Sequence, residues 1–275
     1  MTSVYYGKES LVIKCEVSSD ILMKILGISL SQTEASACLS INDKLIISHS
    51  EKATTKSSLP IASINLVLQN ANLIINDIDQ IIVSGRPFLS FYNEILLYLD
   101  SFPFSLKKFI LEIPKWLDER LVLPIKIEEK LGFKKKIIFI PYHLSLAKYV
   151  SKLIENSAIF IFQNDQEDSV LSLYTSIEGE LDLDFQFNYF DFLNSQNFGK
   201  ELDIWFHKTK NLELPLVIIG NIEDLRYFKK NNIIWKKQFL NDFSLLSCEG
   251  AVYYFLDKLL VNKMDNYEEN ISFSK

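Results

Sequence analysis

Glycine is scarce in this chain, at 8 of 275 residues. Because glycine lets a backbone approach a phosphate closely, this scarcity argues against glycine-rich phosphate-binding loops. Cysteine is also rare, and Cys15, Cys38 and Cys248 form no CxxC pair and no metal-binding spacing. An odd, widely spaced set of cysteines argues against a disulfide framework and favours a reducing cytoplasm.

Long apolar runs are missing as well. No run reaches the ~18 residues that a membrane span needs, and residues 1–22 lack the apolar core of a signal peptide. The net charge of -6 and the pI of about 5.3 argue against non-specific nucleic-acid binding and a polybasic membrane anchor. We therefore expect a cytoplasmic protein that binds neither nucleic acid nor membranes.

The chain is 48% hydrophobic and 23% charged, which is enough to build one or two packed cores. Three short strand-like runs from Lys24 are followed by a helix from about Pro60 and a buried strand at Ile78–Gly85. "IND" at residues 41–43 predicts a hairpin turn. Helical, aromatic-rich sequence then extends to about Leu131, and a further strand leads into a helix that starts near Tyr142.

The same order of elements begins again at Ala158. Three strands, with a turn at Ser176–Glu180, precede a helix over about residues 190–210 and the strand Leu214–Gly220. A helix ("NIEDLRYFKKN"), a short strand ("IIW") and a last helix complete this half. The order βββαβαβα thus occurs twice. This predicts an α/β protein with the duplicated actin-like ATPase (ribonuclease H-like) fold, in which two lobes face each other across a cleft.

We expect the domain boundaries to follow this duplication. The predicted parts are an N-terminal extension (1–22), a first lobe (23–156) with a helical insert (about 87–132), a second lobe (157–263) and a polar tail (264–275).

Several segments of the first half carry a family resemblance: "ILGISLSQTEASACL", "SEKATTKSSLP", "RPFLSF" followed by "PKWL", and "IPYHLSLA". From about Lys24 to Val150 they resemble the N-terminal, ATPase-like domain of the O-carbamoyltransferases that modify nodulation factors and antibiotics. After Val150 the resemblance is weaker. Full-length members continue into a nucleotide-binding domain, and we expect no counterpart of it after Lys263.

The resemblance implies a metal site whose ligands have been replaced. In the family, two ligating histidines stand four residues apart on one helix face, and an aspartate on the next strand completes the site. The corresponding positions here are Tyr142, Leu146 and Gln163. Leucine has no donor atom, and tyrosine ionises only near pH ~10. The resemblance therefore predicts that no metal is bound.

Six other residues are candidates for a remaining site. Glu34 and His143 are the catalytic candidates, Lys52 and Lys56 match basic residues near the family's substrate, and Gly220 and Gly250 stand where a nucleotide loop is expected. Each also has a simpler interpretation. The carboxylate and the lysines are then solvated, and His143 is a polar residue at a strand–helix junction that is hydrogen-bonded to backbone.

The other notable residues have mainly structural interpretations. Cys38 and Cys248 lie in apolar patterns and are expected in the core, whereas His49 is a weaker candidate for the cleft. The aromatic residues of the insert are interpreted first as core, or else as a partner surface if the insert is exposed. They are Phe102, Phe104, Phe109 and Trp116.

Three functions remain open at this stage. The first is a non-catalytic or regulatory partner of an active carbamoyltransferase, which binds that full-length enzyme or a second copy of itself and needs no cofactor. The alternative is a divergent O-carbamoyltransferase that uses ATP or carbamoyl phosphate on a sugar or secondary-metabolite hydroxyl. A sugar or acid kinase is a weaker third, since the Asp-Gly phosphate loops that it requires are missing from the sequence.

Overall fold

A computed structural model describes seven stretches of the chain, 23–30, 34–52, 59–117, 121–162, 171–187, 198–220 and 243–272. The first sheet has five strands in the order β3-β2-β1-β4-β5. The first three strands are antiparallel, and β4 and β5 run parallel to β1. The strands are β1 (Lys24–Leu30), β2 (Glu34–Ile41), β3 (Lys44–Lys52), β4 (Gln80–Ser84) and β5 (Ile137–Ile140).

The predicted hairpin between β2 and β3 is confirmed. Asn42 and Asp43 have φ angles of 52° and 63°, and two successive positive angles are typical of the type I′ turn that joins twisted strands. Helix α1 (Ile61–Asn70) then buries Ile64 and Val67 in the core of this sheet. His49 on β3 contacts this helix, since its Nδ1 lies 2.9 Å from the Ser63 hydroxyl of α1.

The second sheet repeats this arrangement in the order β8-β7-β6-β9, with β6, β7 and β8 antiparallel and β9 parallel to β6. Its strands are β6 (Ser157–Phe162), β7 (Leu171–Ile177), β8 (Glu180–Phe187) and β9 (Leu216–Gly220). Helix α6 (Phe198–Asn211) precedes β9, and its Trp205 is fully buried against the sheet. The helix and short strand predicted after Gly220 lie in residues 221–242, outside the described part of the chain.

In the described stretches, each half therefore has a three-stranded antiparallel meander. On the far side of the meander's first strand lie two parallel strands in the first half and one in the second. This is the ribonuclease H-like topology, and its duplication is the actin-like ATPase fold that the sequence predicts.

In the described part of the insert between β4 and β5 there are three helices. They are α2 (Pro87–Asp100), α3 (Leu106–Trp116) and α4 (Leu123–Leu131). Among the described side chains of these helices, Leu123 and Ile127 of α4 are the ones buried in the core of the first sheet. The prediction that the aromatic residues of the insert are core is wrong for Phe102 and Phe104, which are 62% and 94% exposed. The reason is that α2 and α3 pack mainly on each other. Phe109 is half-buried against Tyr98, and the side chain of Trp116 is outside the described part.

Two long helices connect the sheets. Helix α5 (Tyr142–Leu153) packs on the second sheet, and α7 (Phe243–Ser272) packs on the first sheet and on α5. Residues 264–272, predicted as a polar tail, continue α7. Among the helices of the described stretches, none is both long and apolar enough to cross a membrane.

An ion pair between the buried Lys148 and the partly exposed Asp257 joins α5 to α7. Lys148 Nζ lies 2.6 Å from Asp257 Oδ2 and also donates to the Gly179 carbonyl, while the more exposed Lys152 donates to Asp257 Oδ1 at 3.0 Å. Burial alone would raise the pKa of Asp257, but the hydrogen bonds from the two lysines outweigh it and hold the pKa below its ordinary value.

We expect Asp257→Asn to lower the free energy of unfolding by about 2 kcal/mol, because it leaves the buried Lys148 ammonium without its counter-charge. Lys152→Met removes the exposed lysine from the same carboxylate and should cost less than about 1 kcal/mol. Urea unfolding of the two variants measures the difference. Equal losses in the free energy of unfolding would show that the Lys148–Asp257 pair stabilises the protein no more than the exposed Lys152–Asp257 pair.

Candidate functional site

The first turn of α5 carries the positions at which the carbamoyltransferase resemblance implies metal ligands. Tyr142 is 2% exposed and Leu146 is fully buried. They lie one turn apart and pack in an apolar cluster with Ile159, Val217 and Ile219 of the second sheet. These two positions therefore help to hold α5 on the sheet.

His143, between them, is fully buried, and its Nδ1 lies 2.8 Å from the hydroxyl of Ser172 on β7. This side-chain contact joins His143 to a residue 29 positions further along the chain. Burial disfavours the imidazolium and lowers the pKa of His143 to about 3. The ring is therefore neutral at physiological pH.

Glu34 and Lys52 lie together at one end of the first sheet. They are register partners in the β2–β3 ladder, where Glu34 is half-buried and Lys52 is exposed. Side chains of register partners are neighbours on the same sheet face. The structure thus brings a carboxylate and an ammonium group together on the first sheet, while His143 contacts the second. Lys56 and Gln163 lie outside the described residues.

The two candidate glycines allow close backbone contacts. Gly220 ends β9 with a φ of +145°, and a Cβ there would lie 2.0 Å from the Phe162 carbonyl oxygen of β6. Gly250 lies inside α7 and not in a loop, and a Cβ there would lie 1.9 Å from the Ser145 carbonyl oxygen of α5. The missing Cβ of Gly250 is thus what lets the two connecting helices touch.

A row of buried serines, which the sequence analysis did not single out, crosses the first sheet. Ser36, Ser29 and Ser84 are register partners on β2, β1 and β4. Ser29 Oγ lies 2.6 Å from Ser247 Oγ, and Ser36 Oγ donates to Ser244 Oγ at 2.8 Å, both in the first two turns of α7. Within the described part of the chain, the buried Ser84 hydroxyl has no hydrogen-bond partner.

The sequence carries a weak signal for this row, because a serine ends each of the apolar runs "LGIS" and "IIVS". The row gives the sheet a polar end under the start of α7. The hydroxyls of Ser29 and Ser36 join the sheet to this helix.

The prediction that Cys38 and Cys248 lie in the core is confirmed. Cys38 and Cys248 are fully buried free thiols whose Sγ atoms lie 3.1 Å apart between β2 and α7. Burial raises the pKa of the Cys248 thiol, so it is protonated at neutral pH. The described residues include no group of three or more His, Cys, Asp or Glu side chains placed to hold a metal ion.

No family model matches this chain. It is 30% identical over 113 residues to a protein of Synechocystis sp. described only as uncharacterized. That match covers 39% of this chain but only 18% of the length of the Synechocystis protein.

Two solved structures are similar over most of their length. One is the activator of 2-hydroxyisocaproyl-CoA dehydratase from Clostridium difficile, with bound ADPNP. It is 11% identical, with a TM-score of 0.47, and the match covers 88% of this chain and 98% of that one. The other, from Bacteroides thetaiotaomicron, is described as having an actin-like ATPase fold and unknown function. It is 13% identical, with a TM-score of 0.39, over 84% of this chain and 95% of that one.

Proposed function

We propose that this protein is a non-catalytic relative of the O-carbamoyltransferases that acts as a binding or regulatory partner. One observation carries the proposal. The positions that match the family's two helical metal ligands hold Tyr142 and Leu146, and both side chains are packed into an apolar core. A divalent ion there would lose its hydration among groups that offer it no charge in return.

The surroundings of this position support the same conclusion. His143, the remaining family histidine, is held neutral by burial and already contacts Ser172. A general base must reach the proton of a bound substrate, and a fully buried imidazole does not meet that condition.

A divergent O-carbamoyltransferase is the second candidate, and the Glu34–Lys52 neighbours favour it. A lysine beside a half-buried carboxylate supplies an anion contact and a proton acceptor at one place. This arrangement would serve carbamoyl phosphate without any metal.

Isothermal titration calorimetry separates the two candidates. We titrate the full chain with ATP and with carbamoyl phosphate, each with and without Mg²⁺ and Mn²⁺, and expect no binding heat. A dissociation constant tighter than ~1 mM, about 4 kcal/mol of binding, would contradict the non-catalytic proposal. Loss of that heat in Lys52→Met, but not in the exposed-lysine control Lys258→Met, would favour the second candidate.

The partner role has its own test. Co-expression with a full-length O-carbamoyltransferase from the same genome should give a complex that survives affinity purification and gel filtration. Complete separation of the two chains would contradict that role.

A further inference from the structure

Helix α2 carries an exposed apolar stripe. Phe88, Tyr92, Leu96 and Leu99 are 58%, 57%, 36% and 62% exposed. Their spacing of four, four and three residues places them on one side of the helix. A soluble surface ordinarily carries such side chains singly, so a continuous stripe indicates a surface that another element covers.

Helix α3 and the residue that follows it carry a second stripe, formed by Leu106, Ile110 and Leu117 at 45%, 61% and 48% exposure. The two helices are joined by five residues and form a hairpin. The ring of Tyr98 meets that of Phe109 edge-on, with centroids 5.7 Å apart. Helices joined by so short a connection run antiparallel.

The two stripes lie on the same side of this hairpin. At ~100° per residue, each stripe is displaced by roughly a quarter to a third of a turn from the residue, Tyr98 or Phe109, that faces the other helix. Viewed from the N-terminus of each helix, the rotation from that residue to the stripe has the same sense in both helices. Because the two helices run in opposite directions, rotations of the same sense bring both stripes to one side of the hairpin.

The combined surface is large. With the exposed rings of Phe102 and Phe104 in the connection, it offers on the order of 900 Å² of apolar area, since one aromatic side chain contributes ~150–250 Å² when fully covered. The largest apolar patch on a typical monomer is ~300–600 Å², whereas a stable complex covers ~800 Å² on each partner. The area is therefore that of one side of a stable dimer.

We infer that this face pairs with the same face of a second copy of the chain, about a two-fold axis that crosses the helices. In that arrangement α2 lies antiparallel to α2 of the other copy, with Phe88 opposite Leu99 and Tyr92 opposite Leu96. Two such hairpins form a four-helix arrangement, a stable way to bury apolar helix faces.

Two features of the hairpin support self-pairing. The stripe midpoints lie between Tyr92 and Leu96 on α2 and near Leu111 on α3, and the Tyr98–Phe109 contact places them within about 3 Å of the same level. One axis therefore centres both helix pairs. The same pairing brings the exposed Arg86, just before α2, opposite the exposed Asp100 at its end, so opposite charges meet at both edges.

Sedimentation equilibrium on the full chain tests this inference. The wild type is expected at twice its monomer mass of 31.9 kDa. Leu99→Asp, which places a charge opposite the Phe88 ring of the other copy, should weaken self-association at least ~30-fold. Ile204→Asp on α6 is the matched control, because Ile204 is also 62% exposed, and it should remain dimeric. Thermal melting by circular dichroism confirms that both variants fold.

A charge exchange makes the test specific for the two-fold pairing. Arg86→Glu and Asp100→Lys should each weaken the dimer about fivefold, and the double variant should recover most of that loss. A wild type that stays monomeric at ~100 μM would overturn the inference. So would equal self-association of Leu99→Asp and Ile204→Asp, or a double variant that associates more weakly than either single variant. So would a monomer that uses this face only for a full-length carbamoyltransferase. The inference rests on the insert alone, so the calorimetry above neither supports nor refutes it.

Discussion

Gly250→Ala is expected to lower the free energy of unfolding by about 3 kcal/mol or more, although alanine is the better helix former by ~1 kcal/mol. The added methyl carbon would lie 1.9 Å from the Ser145 carbonyl oxygen, 2.8 Å from its carbon and 3.1 Å from Tyr149 Cβ. The carbonyl is backbone within α5 and cannot rotate away. The two helices must therefore separate, which loosens the apolar clusters that each forms with its sheet.

Urea unfolding followed by circular dichroism measures this loss. Lys258→Ala on an exposed position of the same helix is the control, and it should change stability by less than about 0.5 kcal/mol. If Gly250→Ala is as stable as the control, the α5–α7 contact is looser than the structure shows.

The second large effect is a loss of stability in mild acid. The pKa of His143 is about 3 in the folded protein against an ordinary value of 6.5. Below pH 6.5 the unfolded chain binds a proton that the folded protein does not bind, so stability falls as the pH falls from 6.5 towards 3. Between pH 7.5 and pH 5 this histidine alone should remove about 2 kcal/mol from the free energy of unfolding.

His143→Gln provides the comparison, because glutamine keeps a polar side chain at the site but does not titrate. The pKa of Asp257 is lowered by its lysines, so its contribution to the free energy of unfolding is also lost in acid. That loss is equal in the wild type and in His143→Gln. Urea unfolding at the two pH values should therefore give the wild type the steeper decrease by about 2 kcal/mol. Parallel decreases would mean that His143 is accessible to solvent in the folded protein.

Local chemistry explains why the order of elements was predictable. A sequence pattern of a few residues predicts the Asn42–Asp43 turn, and another predicts α1 from its apolar spacing. The same holds for the turn at Glu178–Gly179, whose residues have positive φ angles. Repeating these signals in both halves was enough to predict the duplicated fold.

Properties that depend on distant parts of the chain were not predictable in this way. Periodicity shows which side chains share a helix face but not whether another element covers it, so the exposed rings of Phe102 and Phe104 were expected in the core. The contact of His143 with Ser172, and the serine row joined to α7, depend on strand register between segments up to 218 residues apart. Only the folded chain brings these groups together.

Helix α7 also determines when the first sheet can be completed. Its Cys248, Val252 and Leu256 cover Ile25 and Ile82 in one buried cluster, so β1 and β4 stay uncovered until the ribosome has made most of α7. Until then that side of the sheet exposes strand-forming apolar residues in the nascent chain, where aggregation and chaperone binding compete with folding. Translation must therefore pass residue 256 before the N-terminal half is stable, and fragments that stop at the end of β9 should accumulate as insoluble protein.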